Sequence, residues 1–415
     1  METTFRPEQN NPPRDIAVIT IYPPPGSHHS SAKDLSALAA YSRSLLQALP
    51  IEVRRRVVVL TNIKEAPPRV YHDEDIEVRE AWAKGRAGFF FQIIRALRAL
   101  PTIRIVHLQH EFNQFGGAFT VPLIPLLLWL IRLVYRKKIV ITYHEVMGNE
   151  MLTPELVKKF CLPVPSRPAR VLFKAYYRIT SRAAHTLLVQ HQKFKDRLKH
   201  EIGVGGHIEI LPIGTEQDAI LADQDASRNA LGFAPNDRIL LFFGTLDWRK
   251  GLDVLLEAFR ALPDPNYRLV IGGGQPVRIK HRPEYQQWYQ GIAAGMAADP
   301  RVRHIGFVAD DDIPKLFAAC DLVVLPYVVP QMVSAVLNHA ASYERPYIAS
   351  NAFAGHADPL VLFQATSDEL GAKISWALSH TEELLAYARR YKREMSWINS
   401  ASLLSRYYAD TLARK

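Results

Sequence analysis

The chain alternates short apolar runs with longer segments in which apolar residues recur every three or four positions. The short runs are rich in β-branched residues and have the length of strands, whereas the longer segments have the period of amphipathic helices. The predicted strands are 15–21, 56–61, 103–108, 139–143, 185–190, 208–211, 238–244, 268–274, 304–307, 321–326 and 346–350, with helices that include 35–49 and 251–262. Strands that alternate with helices predict an α/β fold with parallel sheets covered on both faces.

The pattern divides into two cycles of strands and helices. A polar and acidic stretch at 214–225 separates them, and 415 residues are too many for one ordinary core. We expect an N-terminal Rossmann-like domain at 1–215, a C-terminal one at 216–390, and a closing helix at 391–415 that packs back on the first domain. Because ligands of such sheets lie beyond the carboxyl ends of the strands, the expected site is a cleft between two facing sheets.

One apolar segment, 118–138, raises the question of a membrane. Pro122, Pro125 and Arg132 interrupt it, and it falls short of the roughly 20 clean residues of a spanning helix. It predicts a buried crossover helix, with a helix resting on a membrane surface as the alternative.

Positive charge is concentrated in residues 151–200, which contain eleven Lys or Arg residues and only two acidic residues. This stretch is either a solvated helical face or a surface that attracts anionic lipid. No helix-turn-helix, zinc-finger or RNP pattern accompanies the charge, so nucleic acid is not an expected partner.

The composition, 48% hydrophobic and 22% charged residues, is typical of a folded globular protein. Cys161 and Cys320 are the two cysteines, far apart in sequence and without metal-ligand spacing, which favours a reducing compartment. The N-terminus is polar and lacks the apolar core of a signal peptide. A cytoplasmic protein is therefore expected, with the inner face of the membrane as a peripheral location.

Three C-terminal segments, GTLDWRKGLDVLLEAF (244–259), LVIGGGQP (269–276) and VRHIGFVADDDIPKLFAACDLVVLPY (302–327), resemble the donor half of GT-B retaining glycosyltransferases of family 4, glycosyl transferases group 1. In the N-terminal half, 106–117 and 140–146 are similar to strand ends of the same family. The resemblance implies a GT-B fold and a metal-independent hexosyltransferase. It would use a UDP- or GDP-linked sugar as substrate, without a cofactor, and act on a glycan or lipid-linked acceptor in cell-envelope or polysaccharide synthesis.

The resemblance assigns donor-binding roles to residues at the predicted strand ends. Lys250 matches the family's diphosphate-binding lysine, but Thr245 stands where an arginine is usual, and the neighbouring Arg249 is expected to supply a guanidinium. Gly273 lies in a triple glycine near the nucleotide, and Phe307 matches the stretch that contacts the base. The alternative is an ordinary turn with solvated cations.

The resemblance also identifies His144 as the histidine that positions the donor sugar. The family's two glutamates, separated by seven residues, are both replaced, by Gln331 and His339. Gln331 is expected near the sugar and His339 near the ribose, through hydrogen bonds instead of charge. Val333 and Ser334 would open the helix whose N-terminal amides meet the diphosphate.

The acceptor side departs further from the family pattern. Gly26 and Ser36 stand in a longer, bulkier loop than the usual paired glycines, and His110 with Glu111 forms a polar pair at another strand end. These departures keep a second interpretation open, in which the chain is a catalytically silent homologue that acts as a binding or assembly subunit.

Overall fold

The computed structural model describes residues 13–24, 37–117, 119–159, 164–276, 279–329, 334–355 and 357–414. Contacts between residues divide these into two compact units. The first contains the described residues up to Pro212 and those from Ile398 onward, and the second is Ile213–Trp397.

The first unit is built on an eight-stranded sheet. Its strands are β1 (Ile16–Ile19), β2 (Val57–Asn62), β3 (Val70–Asp73), β4 (Ile76–Trp82), β5 (Ile105–His110), β6 (Lys138–Tyr143), β7 (Thr186–Val189) and β8 (Ile208–Ile210). They lie in the order β3-β4-β2-β1-β5-β6-β7-β8. All neighbours are parallel except β3 and β4. Every residue of β1, β2 and β5 is buried, because helices cover both faces, which explains the continuous apolar runs.

The helices of this unit are α1 (Ala37–Gln47), α2 (Ile51–Arg54), α3 (Phe89–Arg98), α4 (Leu123–Leu133), α5 (Pro154–Lys159), α6 (Ser166–Ala183), α7 (Gln192–Asp196) and the C-terminal α15 (Trp397–Ala413). A short π-helical turn, Arg197–Ile202, follows α7. Helix α15 is fixed to the first sheet by buried hydrogen bonds. The Tyr408 hydroxyl lies 2.6 Å from Nδ1 of His107, and the Thr411 and Thr186 hydroxyls lie 2.7 Å apart.

The second unit contains a six-stranded parallel sheet in the order β11-β10-β9-β12-β13-β14. Its strands are β9 (Arg238–Phe243), β10 (Tyr267–Gly272), β11 (Val302–Gly306), β12 (Leu322–Leu325), β13 (Tyr347–Ser350) and β14 (Leu362–Phe363). Its helices are α8 (Gln224–Ala230), α9 (Leu252–Ala261), α10 (Pro283–Ala297), α11 (Ile313–Ala319), α12 (Ala335–Ser342), α13 (Ser367–Ser379) and α14 (Thr381–Glu394). One hydrophobic core, with Phe259, Phe317 and Tyr347 fully buried, lies against this sheet.

Both sheets have a topological switch point. In the second unit the chain proceeds from β9 to one side through β10 and β11, then returns to the other side at β12. In the first unit β1 and β5 stand in the same relation. Ligands of open α/β sheets bind where the carboxyl ends of two such strands diverge.

The predicted α/β class with two parallel-sheet domains is confirmed, although β3, β4 and β14 were not predicted. The apolar segment 118–138 contains α4, which lies between β5 and β6 in the chain, and its residues Ile124, Leu127, Leu128 and Ile131 are buried. Within the described residues, no helix is both long enough and apolar enough to cross a membrane.

Candidate functional site

In the second unit, the candidate site is the edge where β9 and β12 end, called here the β9–β12 edge and formed by Gly244, Lys250, Tyr327 and Ser334. The Lys250 ammonium lies against the end of β9, because a Cβ placed on Gly244 would be 2.5 Å from Nζ. Nζ also lies 5.5 Å from the centre of the Tyr327 ring, just beyond β12. The lysine therefore bridges the two strand ends at the switch point.

The turn that carries Lys250 is fixed by close backbone packing. Gly251 follows the 3₁₀ turn Trp248–Lys250 with a φ of +65°, and a Cβ there would lie 2.0 Å from the Pro326 carbonyl oxygen. The Val328 amide donates to the Arg249 carbonyl at 2.9 Å. Only glycine fits at position 251, and the turn is thereby locked onto the end of β12.

The N-terminus of α12 completes the β9–β12 edge. Ser334 is the N-cap, and its Oγ accepts a hydrogen bond from the Leu337 amide at 3.4 Å and lies 3.3 Å from the Tyr327 hydroxyl. Val336, in the first turn, approaches Gly244 to within 3.5 Å of the position a Cβ would occupy. The amides of this first turn and the Lys250 ammonium therefore lie at the same edge, an arrangement suited to an anion.

Arg249 is held by a neighbouring carboxylate. Its Nε and Nη2 donate to Oδ1 and Oδ2 of Asp247 at 2.9 and 2.6 Å, and Asp247 also accepts from the Arg249 amide. Burial acts to raise the pKa of Asp247, but the hydrogen bonds and charge of Arg249 outweigh it and hold the pKa below its usual value. The guanidinium expected for the diphosphate is thus paired within its own turn.

Gly273 and Phe307 follow β10 and β11 at the same edge of the sheet. Gly273 has a φ of +154°, and a Cβ there would lie 1.9 Å from the Gly244 carbonyl oxygen, so the site tolerates only glycine. His304 Nε2 donates to the Gly273 carbonyl at 2.8 Å. The Phe307 side chain is 73% exposed, available for stacking against a planar ligand.

His339 lies on α12 among aromatic rings. Its ring centre is 6.2 Å from that of Phe243, the last residue of β9, and 6.4 Å from that of Tyr343, to which it is nearly parallel. The imidazole is half-buried. The structure therefore brings His339 close to the end of β9.

In the first unit, His144 follows β6 and has both ring nitrogens bonded. The Gln190 amide donates to Nδ1 at 2.6 Å, which leaves Nε2 to donate to Oε1 of Gln109 at 2.7 Å. The Tyr41 ring packs edge-on against the imidazole, with ring centres 4.6 Å apart. Burial lowers the pKa of His144 to about 3, so the ring is neutral near pH 7. A sugar hydroxyl would have to replace one of the two glutamine bonds.

His110, at the end of β5, is 1% exposed and points into an aromatic cluster. Its Nε2 lies 2.5 Å from the Tyr176 hydroxyl oxygen, and Nδ1 is buried without a hydrogen-bond partner among the described residues. Burial lowers the pKa of His110 to about 4. These contacts give it a structural position within its own unit.

Glu111, next to His110, has a pKa that is raised towards neutral pH. Burial, and secondly the negative charge of Glu145, raise the pKa of Glu111 from 4.5 to about 7, although Lys84 acts in the opposite direction. Near neutral pH such a carboxyl can either accept or donate a proton. The position of Glu111 at a strand end was visible in the sequence, whereas the contributions of Glu145 and Lys84 required the fold.

Four predicted site residues, Gly26, Ser36, Gln331 and Val333, lie outside the described residues. Tyr327, which the sequence analysis did not single out, is the aromatic partner of Lys250; its place directly after an apolar strand was the available signal. Across the described part of the chain, no group of three His, Cys, Asp or Glu side chains is arranged to hold a metal ion.

Comparison with known proteins identifies the family of one domain and the fold. Residues 223–395 match the family described as Glycosyl transferases group 1. The chain is 25% identical over 312 residues to a D-inositol 3-phosphate glycosyltransferase of Corynebacterium kroppenstedtii, which covers 69% of this chain and 65% of that protein. The chain thus spans less than two thirds of that relative's length.

Two solved structures share the architecture. Sucrose-phosphate synthase from Thermosynechococcus elongatus superposes with a TM-score of 0.71 at 16% identity, covering 96% of this chain and 99% of that chain. Anabaena Alr3699/HepE, solved in complex with UDP and glucose, gives a TM-score of 0.67 at 16% identity, with coverage of 96% and 100%. The expected group 1 domain and GT-B fold are therefore confirmed.

Proposed function

We propose that this protein, whose residues 223–395 form a glycosyl transferases group 1 domain, transfers a hexose from a nucleoside-diphosphate donor to a hydroxyl acceptor. The observation that carries the proposal is the meeting of Lys250, the Gly244 backbone and the first turn of α12 at one switch point. The donor is a UDP- or GDP-linked sugar, and the UDP bound to Anabaena Alr3699/HepE supports a nucleotide of this class.

Lys250 and the α12 amides would stabilise the leaving diphosphate. Negative charge grows on that group as the glycosidic bond breaks, and fixed donors aimed at it lower the barrier. A cation and a helix N-terminus supply this stabilisation from the protein itself. We therefore propose that the reaction needs no metal, and we expect turnover to persist in EDTA.

The proposed stereochemistry is retention, as in family 4 enzymes. The acceptor hydroxyl would attack on the face from which the diphosphate leaves, and the diphosphate would take the proton. His144, held neutral by burial, is suited to hydrogen bonding with a sugar hydroxyl and not to acid catalysis. NMR of the anomeric proton in the product tests the assignment, since inversion would contradict it.

Gln331 and His339 replace the two carboxylates usual in the family. We propose that the Gln331 amide hydrogen-bonds the donor sugar and that His339, beside Phe243, contacts the ribose. Neither residue supplies a negative charge to an oxocarbenium-like transition state, so the chemical step should be slower than in relatives that keep both glutamates.

The acceptor is proposed to be a glycan or lipid-linked glycan at a membrane. The supporting observation is the α4–α6 face, defined by the exposed apolar residues Leu126, Leu133, Val171, Leu172 and Ile179. Helices α4 and α6 pack together, and α6 carries five Arg or Lys residues and no acid. An exposed apolar stripe bordered by cations fits the surface of an anionic bilayer.

Calorimetric titration of the purified protein with UDP, GDP and their sugar conjugates tests the transferase proposal. One nucleotide should bind with a Kd on the order of micromolar, and Lys250→Ala should weaken it about tenfold or more, because a charge-assisted bond contributes about 1.5–3 kcal/mol. Arg260→Ala is the matched control, since it removes a positive charge from the last turn of α9.

The alternative, a catalytically silent assembly subunit, predicts a different result. It predicts no heat with any nucleotide sugar, or binding without sugar transfer to any glycan acceptor. Equal affinities of the Lys250→Ala and Arg260→Ala variants would also contradict the proposed diphosphate site.

A further inference from the structure

A cavity opens at the edge of the six-stranded sheet opposite the β9–β12 edge. Its volume is about 410 Å³, within the range of small-molecule sites, and its wall includes Asp321 and Pro346, which immediately precede β12 and β13. Lys250 lies beyond the carboxyl ends of the same sheet. The full length of the strands therefore separates this cavity from the β9–β12 edge.

An arginine whose guanidinium has hydrogen-bond donors without partners among the described residues lines this cavity. Arg345 lines it, and its Nε is buried without a hydrogen-bond partner among the described residues. Burial lowers the pKa of Arg345 from its ordinary value, which is far too high for the group to become neutral. Because Nε itself is covered, an anion in the cavity would bind the outer guanidinium nitrogens, Nη1 and Nη2, which donate no hydrogen bond to another described residue.

The acidic residues of the cavity are already bonded to other cations. The two oxygens of Asp321 accept from Nη2 of Arg228 and from the Ile239 amide, both at 2.7 Å. Glu344, held in the left-handed region with a φ of +49°, accepts from Nε of Arg389 at 2.9 Å and from Nζ of Lys392 at 3.4 Å.

The cavity consequently keeps an excess of positive charge. The wall contributes three positive charges, from Arg345, Arg389 and Lys392, against the two negative charges of Asp321 and Glu344, and Arg228 pairs with Asp321 from outside the wall. A phosphate monoester carries about −1.5 to −2 charges at pH 7 and is attracted by an excess of this sign. The planar guanidinium fork also pairs with two phosphate oxygens at once.

We propose that this cavity binds a small phosphorylated metabolite, with the phosphate group on Arg345. The polar side chains of Gln224 and Thr381 in the wall would contact the rest of the ligand. The proposal concerns a site distinct from the donor site and holds whether or not the chain transfers a sugar.

Thermal shift and calorimetry with inorganic phosphate and glycerol 3-phosphate test this site, with glycerol as the uncharged control. We expect saturable stabilisation by the two phosphate compounds and none by glycerol. Tighter binding of glycerol 3-phosphate would identify an ester as the occupant, and tighter binding of inorganic phosphate would identify the free ion. Absence of binding by both would overturn the proposal.

Two variants locate the binding. Arg345→Met should weaken phosphate binding about tenfold or more while leaving nucleotide affinity unchanged. Should Arg345→Met not fold, Gln224→Glu is the second test, because it adds a negative charge to the wall at the first residue of α8 and should weaken binding in the same direction.

Lys250→Ala separates this site from the proposed nucleotide site. The phosphate response should persist in this variant, because Lys250 lies at the other edge of the sheet. A response lost with Lys250→Ala and retained with Arg345→Met would assign the anion to the β9–β12 edge and refute the second site.

Discussion

Arg249 and Lys250 are adjacent cations with different partners. The Arg249 guanidinium is paired with both oxygens of Asp247, whose side chain is 5% exposed, whereas Lys250 lies against the Gly244 backbone and the Tyr327 ring. The sequence indicated two cations at one turn. It gave no means of telling which one the fold leaves directed at the strand ends.

This difference predicts that the two alanine variants lose different properties. Arg249→Ala should lose mainly stability, and Lys250→Ala should lose mainly nucleotide affinity. Arg249→Ala leaves the buried Asp247 carboxylate without its partner and should lower the free energy of unfolding by about 1 kcal/mol, since Arg249 is partly exposed. Its effect on nucleotide affinity should be smaller than that of Lys250→Ala. Urea unfolding and calorimetric titration measure the two quantities. An affinity loss in Arg249→Ala as large as in Lys250→Ala would show that the guanidinium leaves Asp247 to bind the ligand.

The raised pKa of Glu111 predicts that the free energy of unfolding depends on pH. Its pKa is raised in the folded state, from 4.5 to about 7, so the folded protein holds the proton more tightly than the unfolded chain. The resulting penalty is absent below about pH 4.5, grows as the pH rises to 7, and is complete above it. Glu111→Gln removes the charge and should raise the free energy of unfolding by about 1–3 kcal/mol at pH 8 and by little at pH 5.

Unfolding in urea at both pH values measures this effect, with Glu145→Gln as the control. Glu145 is exposed, and its removal should give a smaller gain, through a lower pKa of Glu111. If Glu111→Gln destabilised the protein equally at pH 5 and pH 8, the carboxyl would be a hydrogen-bonding group and not a buried charge.

At the scale of the element, the turn before α9 positions the proposed diphosphate site. Gly251→Ala would place a Cβ 2.0 Å from the Pro326 carbonyl oxygen at a positive φ, so the turn must move away from β12 and carry Lys250 with it. We expect a loss of stability of about 1–3 kcal/mol and weaker nucleotide binding.

Gly291→Ala is the matched control for this substitution. Gly291 lies within α10, and a Cβ there meets nothing within 4 Å. This variant should gain up to about 1 kcal/mol in stability from helix propensity and bind nucleotide normally. Equal nucleotide affinity of the two variants would show that the turn does not position the site.

Regular elements were predictable where both faces of a strand are buried. Strands such as β2 and β12 are continuous apolar runs because helices cover them on both sides. Strand β4 was not predicted, because buried and half-buried residues alternate along it and one of the buried positions is the charged residue Glu80. The Arg69 guanidinium pairs with this carboxylate at 2.9 Å. Strand β14 has only two residues, too few to produce a pattern.

At the scale of the whole molecule, both sheets have the same kind of strand order. This explains why residues picked out by the sequence motifs lie at the ends of strands, where ligands bind. In each sheet the strand order changes direction beside the first strand. Lys250 follows β9, at the switch point of the second sheet, and His144 follows β6, the neighbour of β5 at the switch point of the first sheet. The order of strands and loops was therefore enough to predict candidate positions. Side-chain pairing was not predictable, since Gln109 lies on β5 and Gln190 directly after β7, both distant from His144 in the chain.

The first unit carries exposed apolar side chains and positive charge on the same helix. On α6, Val171, Leu172 and Ile179 are exposed, and Arg167 and Arg182 are exposed on the same helix. Vesicles containing phosphatidylglycerol should carry the protein upward in flotation, whereas phosphatidylcholine vesicles should not. Each cation near an anionic surface contributes about 1 kcal/mol, so Arg167→Glu with Arg182→Glu should reduce vesicle binding roughly tenfold or more.

Apolar burial and charge attraction can be separated in the same assay. Leu172→Ser should weaken binding at every salt concentration, because insertion of the exposed side chain does not depend on screening. The charge-reversed variant should differ from the wild type most at low salt, where the Debye length is long. Arg238→Glu with Arg260→Glu makes the same change of charge on the second unit and should float like the wild type. If this control variant lost binding to the same extent, net charge alone would account for the attraction, and the α4–α6 face would not be the membrane-binding surface.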